Sequence, residues 1–391
     1  MKTIWKAVKD FFKTADIFLL VVCLLAAAYG VVLISSAGRV MLVTAETGQT
    51  VTVDNAARLV TVQCAAIAIG VVLFVILSCV PLDLLARLWK WLLGFNILFV
   101  ALLQIWGVEL LGNRSWLKIP GFPVLIQPAE VVKVTFILVL AKQLSEGLRR
   151  DRLNRLPSVA LLAGHLGLMV GTVFLFSKDL GMVVVYVAIF FVMCLFGGLK
   201  LRWFAAAAAV IAGACPFAWR MLADHQRQRL LVGFNPSADP LGYGWQAIQS
   251  KIAIGGGQLT GQGLYNGVQT QLGRLSQKES DFIFAVAGEE LGLVGCLVIL
   301  LLLAVIVLRC LYAATRSKTP LATVVCVGVA GMVLFQSVIN VGMCLALTPV
   351  IGLTLPFFSY GGSSIITMFA AMGLVSSAYR HPKTHLLSDE E

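Results

Sequence analysis

LVTVQCAAIAIGVVLFVILSCV, residues 59–80, contains no Asp, Glu, Lys or Arg over a length that crosses the roughly 30 Å of hydrocarbon in a bilayer. Comparable apolar runs recur near 17–36, 89–111, 128–144, 158–176, 180–198, 204–222, 282–309, 321–346 and 361–379. The 391-residue chain is 59% hydrophobic with a mean hydropathy of +0.92, whereas apolar residues make up roughly half of a soluble globular chain. The expected fold is an all-α polytopic membrane protein of about ten transmembrane helices, with a large extracellular loop between helices 7 and 8.

Orientation follows from the short loops. Lys2, Lys6, Lys9 and Lys13 precede the first span, Arg149, Arg150, Arg152 and Arg155 fill the 145–157 loop, and Arg316 and Lys318 lie in the 310–320 loop. By the positive-inside rule these segments face the cytoplasm, so both termini are inside and residues 223–281 lie outside. The chain then reads as a single transmembrane domain, 1–391, with cytoplasmic tails 1–15 and 380–391. The first apolar run lacks a convincing cleavage site and is read as a retained helix. The net charge of +11 is dispersed among the spans, which argues for membrane orientation and against nucleic-acid binding. Nine cysteines without a CxxC spacing read as small buried hydrophobes, and the four histidines show no structural-zinc pattern.

The stretch QSKIAIGGGQLTGQGLYNGVQTQLGRLSQKESDFIFAVAGEELG, residues 249–292, carries polar chemistry into the membrane. Asp281 stands at that boundary. It reads either as the N-cap of the helix that follows or as a carboxylate open to both water and lipid head groups. Glu289 and Glu290 follow about 12–13 Å further along a continuous helix, inside the hydrocarbon. They are expected to be structural, either held protonated or paired with a cation, for which Arg114 and Lys133 are the candidates.

Two other external pieces complete the polar set. In GNRSWLKIPGFPVLIQPAEVVK, residues 112–133, Glu130 and Lys133 share one helix face as a local ion pair or, with Arg114, as part of a polar cavity. In LTPVIGLTLPFFSYGGSS, residues 347–364, Pro and Gly interrupt an apolar context. Such a broken segment is either a re-entrant structural turn or a cavity lining in which Ser359, Tyr360, Ser363 and Ser364 offer hydroxyls to a sugar or phosphate. GGGQLTGQG, residues 255–263, lacks the Lys-Ser/Thr of a P-loop, which argues against an ATP-driven machine.

The segments QPAEVVK (127–133), DLG (179–181), QSKIAIGGG (249–257), SDFIFAVAGEELG (280–292) and GLTLPFFSYGGSS (352–364) together resemble the SEDS family, the RodA- and FtsW-like proteins. The resemblance spans nearly the whole chain. It implies a ten-span peptidoglycan glycosyltransferase that polymerises lipid II on the outer face of the bacterial cytoplasmic membrane, beside a class B penicillin-binding protein. The family's essential carboxylate matches Asp281, and its binding positions match Arg114, Glu130, Lys133 and Asp179. Lys251, Ser359, Tyr360 and Ser363 complete the expected substrate-binding set.

The sequence departs from the family at Leu275–Ser280, LSQKES, at Ser177-Lys178 before Asp179, and at Ala129. These changes bear on the loop geometry and on Asp179. SKIAIG (250–255) leans toward RodA and GLTLP (352–356) toward FtsW or its sporulation relatives, so the subfamily stays open.

In the implied mechanism Asp281 is the general base for the acceptor 4-hydroxyl, while Arg114 and Lys133 stabilise the departing undecaprenyl pyrophosphate, with inversion at the donor carbon. A divalent cation, Mg2+ or Mn2+, is a further candidate for that task, although no ligand cluster in the sequence demonstrates one. Ala205–Ala209 is expected to allow close helix packing near a lipid groove. The competing readings are a lipid II flippase and a non-catalytic scaffold for a partner synthase.

Overall fold

The computed structural model describes residues 11, 13–43, 50–110, 113–118, 125–221 and 224–381. Lys2, Lys6 and Lys9, residues 119–124 of the 112–133 piece, and the tail from 382 onward lie outside them. In chain order, α1 (Ile17–Ala37) leads into a hairpin of β1 (Arg39–Val43) and β2 (Thr50–Asp54). Then come α2 (Ala56–Cys79), α3 (Leu82–Arg87), α4 (Trp89–Ala101) and α5 (Leu103–Trp106), and a second antiparallel hairpin, β3 (Gly107–Leu110) with β4 (Asn113–Leu117). Next are α6 (Pro128–Arg149), α7 (Leu156–Ser177), α8 (Leu180–Phe196), α9 (Leu201–Met221), α10 (Asp224–Phe234), α11 (Trp245–Gly257) and α12 (Val268–Gln271). The chain closes with α13 (Ile283–Glu290), α14 (Gly292–Arg316), α15 (Pro320–Cys344) and α16 (Gly362–Arg380).

Helix is the form that lets an apolar run satisfy its own backbone hydrogen bonds in lipid. Among the described residues seven segments are long and apolar enough to cross a membrane: α1, α2, α4 with α5, α7, α14, α15 and α16. The other three expected spans differ in kind. α8 and the apolar part of α9, Leu201–Phe217, are shorter, and α6 carries Glu130, Lys133, Lys142 and Glu146 along its 22 residues. The protein is therefore a multi-pass membrane protein.

Burial sorts the bundle. α16 and α15 have 83% and 72% of their apolar windows buried, against 22% for α2 and 17% for the Trp89–Trp106 span, so α15 and α16 form the axis. α2 lies against α16 at a distance only small residues permit. A Cβ added to Gly70 would sit 2.9 Å from Phe369 Cδ2, and one added to Gly373 would sit 2.9 Å from Phe74 O.

Two expectations are corrected. The run 282–309 is two helices, α13 and α14, broken at Leu291–Gly292, where Gly292 has φ +66. The 258–261 segment fills the break, with Gln258 O and Leu259 O accepting from Leu293 N and Val294 N. Ala205–Ala209 do not pack closely either. α9 touches α8 through the Phe191–Phe204 edge-to-face pair at 5.0 Å, while its alanines remain exposed.

Candidate active site

The site lies where the N-terminal ends of α6, α8 and α16 and the C-terminal end of α15 meet the loops 275–281 and 347–361. Asp281 ends the first of these loops. Its backbone is clamped from α15, with its carbonyl accepting from Asn340 Nδ2 at 2.8 Å and Cys344 Sγ at 3.7 Å. Asn340 Nδ2 also donates to Leu353 O at 2.6 Å, so one amide holds both loops. The side chain is not a helix cap, because the N-cap position of α13 is Phe282 and carries no side-chain capping bond. Across from the carboxylate lies Gly352, at φ +70, where an added Cβ would reach 3.5 Å from Asp281 Oδ2. That is ordinary van der Waals contact, so it is the positive φ that favours glycine there.

Asp179 faces the same space from the start of α8. Its Oδ1 accepts from Met182 N at 3.0 Å and its Oδ2 from Gln127 Nε2 at 3.0 Å. Burial lifts both carboxylates to about 6. For Asp179 the Met182 N–H opposes that rise and the charge of Glu130 adds to it. For Asp281 the Ser280 hydroxyl opposes it, and the charges of Asp179 and Glu279 add to it. Gly181, just past Asp179, lets the 347–361 loop lie on this turn, since a Cβ there would come 2.5 Å from Ile351 O.

Beneath these carboxylates runs a buried polar chain. Glu130 Oε2 and Lys133 Nζ pair at 2.8 Å, one helical turn apart on α6, and Lys133 Nζ also donates to Gln336 Oε1 at 3.0 Å. Gln336 Nε2 reaches Thr354 O at 3.4 Å, and Thr354 Oγ1 bonds Ser364 Oγ at 3.1 Å. Lys133 is fully buried, and its ammonium meets the Glu130 carboxylate and the Gln336 amide there.

The broken 347–364 segment is a structural turn at Ser359 and an open one at Tyr360. Ser359 Oγ accepts from Leu355 N at 2.7 Å and donates to Ser280 O at 2.5 Å, which occupies the hydroxyl once expected to meet substrate. Ser363 Oγ accepts from Gln127 N at 3.3 Å. Tyr360 is tied through its backbone, N to Glu279 O at 2.7 Å, and its half-buried ring keeps the phenol free of any hydrogen bond among the described residues. Burial raises its pKa, and the Arg58 guanidinium opposes the rise.

Other expected residues lie elsewhere. Arg114 donates to Gly107 O at 3.1 Å and Gln104 O at 3.0 Å and meets neither Glu130 nor the glutamates. Lys251 is exposed on α11, beside Ser250, which bonds Cys344 O at 2.7 Å. Glu289 and Glu290 take loop donors instead of Arg114 or Lys133. Glu289 accepts from Gln269 N at 2.6 Å, Thr270 N at 2.9 Å and Thr270 Oγ1 at 2.7 Å. Glu290 accepts from Ser36 Oγ at 2.7 Å and Gln271 Nε2 at 3.1 Å.

Sequence reasoning missed the amides Gln63, Gln127, Gln336 and Asn340, and it missed Lys278. Gln336 and Asn340 had a signal, two amides four residues apart inside an apolar run. Lys278 is buried, donating to Arg39 O at 2.6 Å and Thr270 O at 2.5 Å. Burial lowers its pKa, while Glu279, Glu290 and Glu289 draw it back up. It anchors the loop in which the sequence departs from the family pattern. Among the described residues no three His, Cys, Asp or Glu side chains gather to hold a metal ion.

The family profile described as "Cell cycle protein", that of FtsW, RodA and SpoVE, matches residues 17–384. The chain belongs to the SEDS family. Among SEDS relatives it is 34% identical over 319 residues to the peptidoglycan glycosyltransferase MrdB of Escherichia coli K12, covering 81% of this chain and 84% of that protein. To the stage V sporulation protein E of Bacillus subtilis it is 34% identical over 304 residues, with coverage of 76% and 80%. Among solved structures, a chain of the complex described as "Structural coordination of polymerization and crosslinking by a peptidoglycan synthase complex" superposes with a TM-score of 0.77 at 30% identity. That match covers 94% of this chain and 98% of the other. The rod shape determining protein RodA of Thermus thermophilus matches with a TM-score of 0.67 at 27% identity, covering 95% and 98%.

Proposed function

We propose that the protein is a peptidoglycan glycosyltransferase that extends glycan strands from lipid II on the outer face of the cytoplasmic membrane. The observation that carries this reading is Asp281, a partly exposed carboxylate held by its backbone from α15 and lifted to about 6. Such a group is ionised at neutral pH yet basic enough to take a proton in the transition state. In the reaction Asp281 accepts the proton of the acceptor sugar's 4-hydroxyl as that oxygen attacks the donor's anomeric carbon from the face opposite the pyrophosphate. The carbon is inverted and undecaprenyl pyrophosphate leaves.

The leaving group's charge must be met by cations that remain free. Lys133 is buried in its ion pair and Arg114 is tied to carbonyls, so the exposed Arg58, whose charge reaches Tyr360, and Lys178, next to Asp179, fit that task better. Asp179, Glu130 and Lys133 then act as positioning residues behind the base. A class B penicillin-binding protein is the proposed partner, and the basic loop ends opposite Asp281 support an active site facing outward. The buried stretch of α6 below Lys133, including Phe136, Ile137, Leu140 and Leu144, is apolar, which weighs against a polar path for flipping a head group.

Purified protein with its partner is expected to polymerise labelled lipid II, and Asp281→Asn to lower the rate by roughly 10²–10⁴-fold with partner binding intact. Normal polymerisation by Asp281→Asn and Asp281→Ala would return the scaffold reading to first place.

A further inference from the structure

At the end of the bundle away from Asp281, a cavity of about 470 Å³ opens between α4, α6 and α7, and the proposed reaction makes no use of it. Its walls are apolar where Leu153, Pro157, Leu161 and Leu162 contribute. Its rim is basic, with Lys142, Arg150, Arg152 and Arg155 facing a single carboxylate, Glu146. That carboxylate is already engaged by Arg150 at 2.6 Å and Lys142 at 3.9 Å. Arg152 and Arg155 make no side-chain ion pair or hydrogen bond among the described residues and are exposed. The cavity therefore has a cationic surplus with two guanidinium groups uncommitted.

Its depth in the membrane is set by two spans. Trp89, which lines the cavity, begins the Trp89–Trp106 span, and Leu156, between Arg155 and Pro157, begins α7. The opening thus lies at the level where hydrocarbon gives way to head groups, and an indole there is an interfacial anchor. A soluble anion would have no use for the apolar wall, and an acyl chain alone none for the arginines. A ligand with a phosphate above a hydrocarbon body satisfies both halves.

We propose that this cavity binds the phosphate-bearing head group of an anionic phospholipid from the adjoining leaflet, with Arg152 and Arg155 as its main contacts. Guanidinium groups suit the task because they present paired N–H donors to phosphate oxygens. The tie of Asn154 to the next loop, Nδ2 to Gly198 O at 3.2 Å and Oδ1 from Lys200 N at 2.7 Å, presets the backbone between the two arginines. The site is independent of the chemistry proposed for Asp281.

Native mass spectrometry of the full chain, titrated with phosphatidylglycerol against phosphatidylcholine, tests this directly. Wild type is expected to retain phosphatidylglycerol saturably, and R152A/R155A to weaken retention by roughly tenfold to thirtyfold. R316A/K318A removes the same charge from the same membrane face outside the cavity and is expected to leave retention unchanged. Thermal unfolding and lipid II polymerisation in neutral lipid are expected to match among all three proteins. Equal losses in the two double variants would mean general surface attraction and overturn the site. Displacement of the lipid by millimolar inorganic phosphate would mean a soluble-anion site and overturn the lipid assignment.

Discussion

Asp281 and Asp179 are two carboxylates at one opening, and the charge of Asp179 adds to the rise that burial gives the pKa of Asp281. A catalytic carboxylate works only when ionised, so with a value near 6 the polymerisation rate is expected to rise with pH through about 6 and level off above it. Asp179→Asn removes the like charge and still caps α8, because Asn is as good an N-cap as Asp. Its acidic limb is therefore expected to move to lower pH, as measured from initial rates between pH 5 and 8. An unmoved limb would mean that the charge of Asp179 does not reach the base. A purely structural role for Asp179 would lower the rate without shifting its pH dependence.

At the scale of elements, the break between α13 and α14 is what gives the segment leading to Asp281 its footing. It presents Glu289 and Glu290 as acceptors to Gly267 N, Gln269 N and Thr270 N, the free N–H groups at the start of the short helix α12. Glu289→Gln would turn one acceptor toward an N–H as a donor, costing about 1–3 kcal/mol locally. Amide hydrogen exchange is expected to quicken at Gln269 and Thr270 while α15 and α16 keep their protection. Uniform loss of protection across all three would show that the pair supports the whole bundle.

The break was not legible in the sequence. Residues 282–309 are apolar on both sides of Gly292, and neither length nor hydropathy records a positive φ that exists only because the 258–261 segment inserts there. The spans themselves were legible, since each must be apolar over its own length whatever it packs against. The partners of Glu289 and Glu290 were not, because the donors are backbone N–H groups that every residue carries and ordinary polar side chains such as Ser36, 254 residues away. Asp281 itself stood out by motif and by its place at a membrane boundary, whereas the clamp that holds it, Asn340, lies 59 residues further along the chain.

At the scale of the whole molecule, charge and polarity divide the bundle into two unlike ends. The end with Asp281 is stitched across distant segments: Gln63 accepts from Gly361 N and donates to Ser359 O, Ser115 bonds Ser177, and Lys278 spans to Arg39. The opposite end carries Arg149, Arg150, Arg152, Arg155, Arg316 and Lys318 on short connections. Basic short loops resist translocation, so that end is expected to face the cytoplasm and the stitched end the outside.

A cysteine at each end decides this. The exposed native cysteines Cys64, Cys79 and Cys215 are first changed to serine. In intact cells a membrane-impermeant maleimide is then expected to label Ser276→Cys, five residues from Asp281, and to label Lys318→Cys only after permeabilisation. The reverse pattern would place Asp281 on the cytoplasmic side. There a base for strand polymerisation would have no glycan to extend, and the flippase reading would then account better for the same carboxylates.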